Sequence, residues 1–223
     1  VVFDFHTHST LSDGQLSPIE LVRRAVVHGY TAMAITDHAG VGSLTRFADE
    51  LARDCALARE YWPVECYAGV ELTHVPAAAI DRCARMAKEA GAFIVIIHGE
   101  TVAEPVEPGT NLAALSSAYV DVLAHPGLLT EEEAALAARN EICIELSGRI
   151  RHSITNGHVA RLAKKAGARL IVNSDQHDLD FLTEERARTI ALGAGLEARD
   201  LEAVLATNPA QLLAKLKAAY RGI

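Results

Sequence analysis

The residues able to do chemistry in this chain fall at one recurrent kind of place, the end of a short apolar run. Phe5 leads into His6-Thr7-His8 and then Asp13; Ile35 leads into Thr36-Asp37-His38; Val70 into Glu71; Ile97 into His98; and Ala124 into His125-Pro126. Further on, Glu145 sits within Ile142 to Leu146, and Val172-Asn173 delivers Asp175 and His177. Imidazole nitrogen and carboxylate oxygen are the usual ligands of zinc, manganese and iron. None of these positions holds a cysteine, which favours a hydrolytic over a structural metal site. Residues at i and i+2 of an extended strand share a face, so His6 and His8 can reach one ion together, as can Asp175 and His177. Two ions a few ångströms apart can bridge a water, lower its pKa and clamp the attacking and leaving oxygens of a phosphate. The chemistry this suits is phosphoester hydrolysis by a metal-activated water. Arg149 and Arg151, in Ser147-Gly148-Arg149-Ile150-Arg151, offer planar forks for the phosphate.

A lone H-x-H pair is weak, because a single strand histidine is commonly a hydrogen-bonded core or surface residue. The conjunction carries the reading, and it requires that distant strand ends meet. Short β-branched runs alternate with stretches of helical spacing, the pattern of parallel strands linked by crossover helices. Seven strands are expected: Val1 to Phe5, Thr31 to Thr36, Glu65 to Leu72, Phe93 to His98, Val120 to Ala124, Ile142 to Leu146 and Leu170 to Asn173. Ser17-Pro18 and a Thr130/Glu133 capping box announce helices, and Gly29, Gly91 and Gly167 are placed to end them. After Glu197 to Leu205 a final helix is expected from Pro209 to about Tyr220, with Asn208 as its N-cap. In a β/α barrel the C-terminal strand ends face one mouth, so the scattered ligands would share a small volume. The loops Ala39 to Ser43 and Glu100 to Thr110 adjoin strand ends and are expected to rim it.

The remaining histidines divide by context. His28, just before Gly29, reads as a cation at a helix C-terminus. His74 reads equally as a substrate contact or a loop residue, His152 as a substrate contact, and His158 as structural. Asp175 and His177 each remain open to a ligand role or to that of the acid that protonates the leaving group.

Composition bounds the answer. With 223 residues and no linker-like tract, one domain spanning 1–223 is expected. The longest apolar run, around Phe93 to Ile97, is too short to cross a bilayer. No basic, then apolar leader opens the chain, and Cys55, Cys66, Cys83 and Cys143 lie far apart without a C-x-x-C pair, so buried thiols in a reducing cytoplasm are expected. A formal charge of −8 argues against an extended nucleic-acid partner, whose phosphates are held mainly by Lys and Arg. A small anionic substrate stays compatible, because bound cations invert the local potential.

These residues resemble the PHP (polymerase and histidinol phosphatase) family. The resemblance rests on Phe5-His6-Thr7-His8-Ser9 with Ser12-Asp13-Gly14, Ala34-Ile35-Thr36-Asp37-His38, Gly69-Val70-Glu71, Ala124-His125-Pro126-Gly127 and Asn173-Ser174-Asp175-Gln176-His177, in that order, and on the Asn208-Pro209 tail. It implies an α/β fold, a distorted seven-stranded (β/α) TIM-like barrel, holding two or three divalent ions (zinc, manganese or iron). It implies as ligands His6, His8, Asp13, His38, Glu71, His98, His125, Asp175 and His177. Some relatives carry a histidine beside the Asp13 position, where this chain has Gly14. The implied activity is hydrolysis of a small phosphomonoester, with histidinol phosphate the substrate suggested by the family name. A nuclease or nucleotide phosphatase is an alternative, and a non-catalytic barrel within an RNA-processing particle, which predicts eroded ligands and a basic surface, is another. The sequence is silent on oligomeric state.

Overall fold

The computed structural model describes residues 1–220. Strands and helices alternate: β1 (Val2–Asp4), α1 (Pro18–Val27), β2 (Tyr30–Ile35), β3 (His38–Ala39), α2 (Leu44–Tyr61), β4 (Glu65–Leu72), α3 (Ile80–Glu89) and β5 (Ile94–His98). Then come α4 (Thr110–Ser116), β6 (Val122–Ala124), α5 (Glu131–Asn140), β7 (Cys143–Ser147), α6 (Asn156–Ala166), β8 (Leu170–Asn173), α7 (Glu184–Gly193) and α8 (Asn208–Ala219). All pairings are parallel, in the order β1-β2-β4-β5-β6-β7-β8. The seven expected strands are present. The two-residue β3, which pairs His38 with Glu71, was not expected; Ala39 belongs to it and not to a loop.

The seam between β1 and β8 is what distorts the barrel. No regular ladder joins them; instead Phe5 N–H donates to Asn173 Oδ1 at 2.9 Å and Ser174 N–H to Asp4 Oδ1 at 3.0 Å. Just beyond the strands, His8 N–H donates to the Gln176 carbonyl at 2.8 Å. Side chains thus supply the partners that a backbone ladder would.

Each strand alternates its side chains between two apolar environments, which is why the sequence shows continuous apolar runs. On β5, Val95 and Ile97 face the helices while Ile94 and Ile96 face the barrel interior. The interior is filled by Phe5, Ala32, Ala34, Tyr67, Phe93, Val122, Cys143 and Ile171 among others, and α8 closes its floor with Leu212 and Leu216. The bore is narrow: a Cβ on Gly69 would lie 2.4 Å from Ile94 Cγ2. Outside, α2 presents Phe47, Leu51 and Cys55, spaced four residues apart, to the outer core. Full burial of a leucine such as Leu51 stabilises by about 2 kcal/mol.

The punctuation largely follows the sequence. Thr130 and Glu133 form the capping box, and Gly29, Gly91 and Gly167 have φ of 74°, 97° and 72° after their helices. Asn208 corrects one expectation. It is not an N-cap, because residues 203–207 are already helical and run into α8; its side chain donates to the Leu170 carbonyl at 2.8 Å. The four cysteines are free and buried. No helix among the described residues is long and apolar enough to cross a membrane.

Candidate metal centre

The interior alternation ends in a polar layer. Continuing the inward parity, Glu71 follows Tyr67 and Gly69 on β4, His98 follows Ile94 and Ile96 on β5, and Glu145 and Ser147 follow Cys143 on β7. His125 does not follow parity, since Ala124 before it already faces inward. It reaches the site by adopting a φ of 27°, and Asp175 takes a φ of 53°. Such backbone costs on the order of 1–3 kcal/mol for a non-glycine residue and concentrates at functional sites.

All nine expected ligands come together at the mouth. Glu71 lies at the centre: its Oε2 is 2.6 Å from His38 Nδ1, 3.4 Å from His6 Nε2 and 3.7 Å from His8 Nε2, and its Oε1 is 3.5 Å from His125 Nε2. Asp175 Oδ1 lies 3.4 Å from His8 Nε2 and 3.7 Å from His6 Nε2. The more exposed Asp13 Oδ1 is 3.2 Å from His177 Nε2 and 3.5 Å from His38 Nε2. His8, Asp13, His38 and His177 form one group with all ligand atoms within 4.8 Å of one another; His6, His8 and Asp175 form a second, and His6, Glu71 and His125 a third.

Gly14 explains the departure beside Asp13. A Cβ there would stand 2.2 Å from the His8 carbonyl oxygen, so this turn admits no side chain and Asp13 is left as the acidic arm. Asp37 is not a ligand. It accepts from Ser9 N–H at 2.8 Å, Ser9 Oγ at 2.6 Å and Ser12 N–H at 3.2 Å, fixing the turn that carries Asp13.

Whether cations fit is decided by the donors. His6 Nε2, both ring nitrogens of His8, His125 Nδ1 and Glu71 Oε1 are buried without any hydrogen-bond partner. Leaving a buried polar atom unpaired costs about 1–3 kcal/mol, and five at one mouth, all of metal-ligating type, fit divalent ions. Electrostatics agree. Burial pulls His8 well below its ordinary pKa, helped by the charge of His6, and pulls His98 down to about 4 and His177 to about 4; all three present neutral lone pairs. For His6, His38 and His125, burial acts in the same sense, but the neighbouring carboxylates of Glu145 and Glu71 outweigh it and hold these imidazoles above their ordinary value.

Outer partners orient the ligands. Glu145 Oε2 accepts from His6 Nδ1 at 2.7 Å and from Asn173 Nδ2 at 3.0 Å, leaving His6 Nε2 for the pocket, the arrangement typical of metal-bound histidine. Thr73 Oγ1 lies 2.7 Å from His38 Nδ1. Arg149 contacts His177 Nδ1 directly and lies 3.7 Å from Asp175 Oδ1, whereas Arg151 turns to the Ala103 carbonyl at 3.1 Å. Both line a crevice of about 150 Å³ beside the centre, with Ile150, Asp178, Asp180 and Arg186. A larger groove of about 840 Å³ opens at the other end of the barrel around Lys88, Phe93, Tyr119 and Lys215, with no histidine in its wall.

The other histidines are also placed. His28 stacks on Phe181 at 4.7 Å, and His158 Nε2 donates to the Leu129 carbonyl at 2.7 Å. His74, with a φ of 53°, sits near His98, and Glu104 from the β5–α4 loop lies 2.7 Å from His98 Nε2. His152 is buried against His125.

Comparison with known proteins agrees with this geometry. The chain is 44% identical over 216 residues to an uncharacterized protein of Methanocaldococcus jannaschii, covering 96% of this chain and 99% of that one. It is 30% identical over 233 residues to the DNA polymerase/3'-5' exonuclease PolX of Bacillus subtilis, covering 92% of this chain but only 41% of PolX. Its backbone superposes on histidinol phosphate phosphatase of Lactococcus lactis, crystallised with zinc, L-histidinol and phosphate, with a TM-score of 0.65 at 18% identity, covering 88% of this chain and 94% of that one. The PHP domain family model matches residues 4–198, and the chain belongs to the PHP domain family.

Proposed function

We propose that this protein hydrolyses a small phosphomonoester using two or three divalent cations, zinc, manganese or iron, held by His6, His8, Asp13, His38, Glu71, His98, His125, Asp175 and His177. The observation that carries the reading is the convergence of these side chains with their buried, unpartnered ligand atoms. Ions bound there would supply Lewis-acid activation of water and of the phosphoryl group. The chain's own residues do the rest. Glu145 and Thr73 hold the rings of His6 and His38. Arg149 offers its guanidinium to the equatorial phosphoryl oxygens. Asp175 and His177, beside Arg149, stand where a leaving alkoxide would take up a proton.

The crevice of about 150 Å³ next to Arg149 suits a compact leaving group, and the Lactococcus lactis structure makes histidinol phosphate the first substrate to try. The intact ligand set counts against a non-catalytic barrel. The identity with PolX favours one second reading, hydrolysis of a nucleotide or of a terminal phosphodiester; the formal charge of −8 counts against a long nucleic-acid substrate. Residues 1–223 form one PHP domain in this proposal, since α8, beyond the matched region, closes the barrel floor. A cytoplasmic setting belongs to it too, supported by the free buried thiols. The test is a screen of phosphomonoesters and diesters, including histidinol phosphate and nucleotides, with metal-loaded and metal-stripped protein. Metal-dependent monoester turnover is expected; diester-only turnover would move the assignment to the second reading, and inertness towards both would remove it.

A further inference from the structure

One buried imidazole in the pocket lies outside the nine ligands. His152 follows β7 in the turn that carries Arg149 and Arg151, and 9% of its surface is exposed. Its Nδ1 lies 2.8 Å from Thr101 Oγ1, a contact spanning 51 residues from the β5–α4 loop. Its Nε2 faces inward, 3.9 Å from Asp175 Oδ2, which is beyond hydrogen-bond reach. The ring stacks on His125 at 4.2 Å and stands perpendicular to His98 at 5.9 Å. One ligand atom from each of His98, His125 and His152 lies within 4.8 Å of the others.

We propose that His152 is a tenth metal ligand, completing with His98 and His125 a three-imidazole site for one cation, and that Thr101 is the residue that positions it. This rests on the metal-dependent reading above. A histidine that merely filled space would gain nothing from turning a nitrogen towards two other imidazoles, one of which, His125, already holds a buried nitrogen without a partner. Ligation at about 2.0–2.1 Å would give the inward nitrogen of His152 a partner, and His98, whose Nε2 now lies 2.7 Å from Glu104 Oε1, would join it by side-chain adjustment. The Thr101 contact repeats what Glu145 does for His6: it engages one ring nitrogen and leaves the other for the ion. Three imidazoles beside Glu71 make this the nitrogen-rich position of the centre, whereas Asp13, His38 and His177 bring a carboxylate arm. Nitrogen-rich sites favour zinc over manganese.

The experiment is zinc and manganese titration of metal-stripped wild type, His152→Ala, His152→Gln and Thr101→Val, by calorimetry and by metal content after gel filtration. Thermal unfolding of the stripped proteins checks that each variant folds. Expected is one zinc step weakened by about 10–100-fold or lost in both His152 variants, a smaller loss in Thr101→Val, and the other steps unchanged. Wild-type zinc stoichiometry and affinity in His152→Ala would overturn the proposal. Raised KM for p-nitrophenyl phosphate at that unchanged loading would make His152 a substrate contact instead. A wild type that takes up no cation would refute the metal-dependent reading itself, an outcome distinct from identical loading of wild type and variant.

Discussion

Replacing Glu145 by glutamine tests whether the polar layer of the barrel was built to hold cations. Glu145 touches no solvent and lies one shell behind His6, with Oε2 2.7 Å from His6 Nδ1 and 3.0 Å from Asn173 Nδ2. Its carboxylate keeps the proton of His6 on Nδ1 and frees Nε2, which lies 3.4 Å from Glu71 Oε2 and 3.7 Å from Asp175 Oδ1 without a hydrogen bond. Glutamine keeps the shape and can still accept from Nδ1, but it removes the negative charge that makes His6 a basic ligand. Loss of such an outer partner lowers metal affinity by about 10–100-fold, about 1.4–2.7 kcal/mol. Glu145→Ala should lose more, since it also leaves Asn173 Nδ2 unpaired. The assay is competition for zinc against a chromophoric chelator, with turnover followed at limiting and saturating metal. Turnover in Glu145→Gln should recover substantially as metal is raised. Wild-type affinity in both variants would refute the reasoning and reduce Glu145 to a structural acid.

Other perturbations probe separate parts of the centre. Arg149→Ala should raise KM for a phosphomonoester about tenfold or more with metal content unchanged, whereas Arg151→Ala should do less, because Arg151 is engaged by the Ala103 carbonyl; equal, negligible effects in both single variants and the double would remove the phosphate-clamp role. Metal uptake should release protons. His6, His38 and His125 are held above their ordinary pKa and must deprotonate to ligate, so affinity should climb as pH rises; calorimetry in buffers of different ionisation enthalpy reads the protons, and zero release would contradict it. Gly14→Ala forces a methyl against the His8 carbonyl and should destabilise by on the order of 1–3 kcal/mol, lowering Tm by several degrees; an unchanged melt would mean that the turn is pliable.

Most of the site was legible because its chemistry sits on residue types with little other reason to be at successive strand ends. His98 could also be placed by parity, two residues beyond Ile96 and four beyond Ile94. What escaped depended on geometry that spacing does not encode. The role of Glu145 required β7, 139 residues away, to be brought within one strand of the turn of His6, and the inward pose of His152 required the β5–α4 loop to supply Thr101. Asp37, next to His38 but not among the expected ligands, spends its lone pairs on Ser9 and Ser12, a supporting role that its position does not announce. His125 reaches the pocket only through a left-handed backbone that its sequence does not announce. At the tail, Asn-Pro read as a helix start, yet the preceding residues were already helical and Pro209 had only to be tolerated in the first turn.

The account stands on the proposition that this mouth exists to hold metal. The most direct measurement is the metal content of the purified protein and of His8→Ala, by elemental analysis, alongside phosphomonoester turnover. Two or three equivalents per chain are predicted in the wild type, with fewer in His8→Ala and at least about a hundredfold less turnover. Wild-type turnover that survives complete removal of metal, or undiminished metal and activity in His8→Ala, would contradict it.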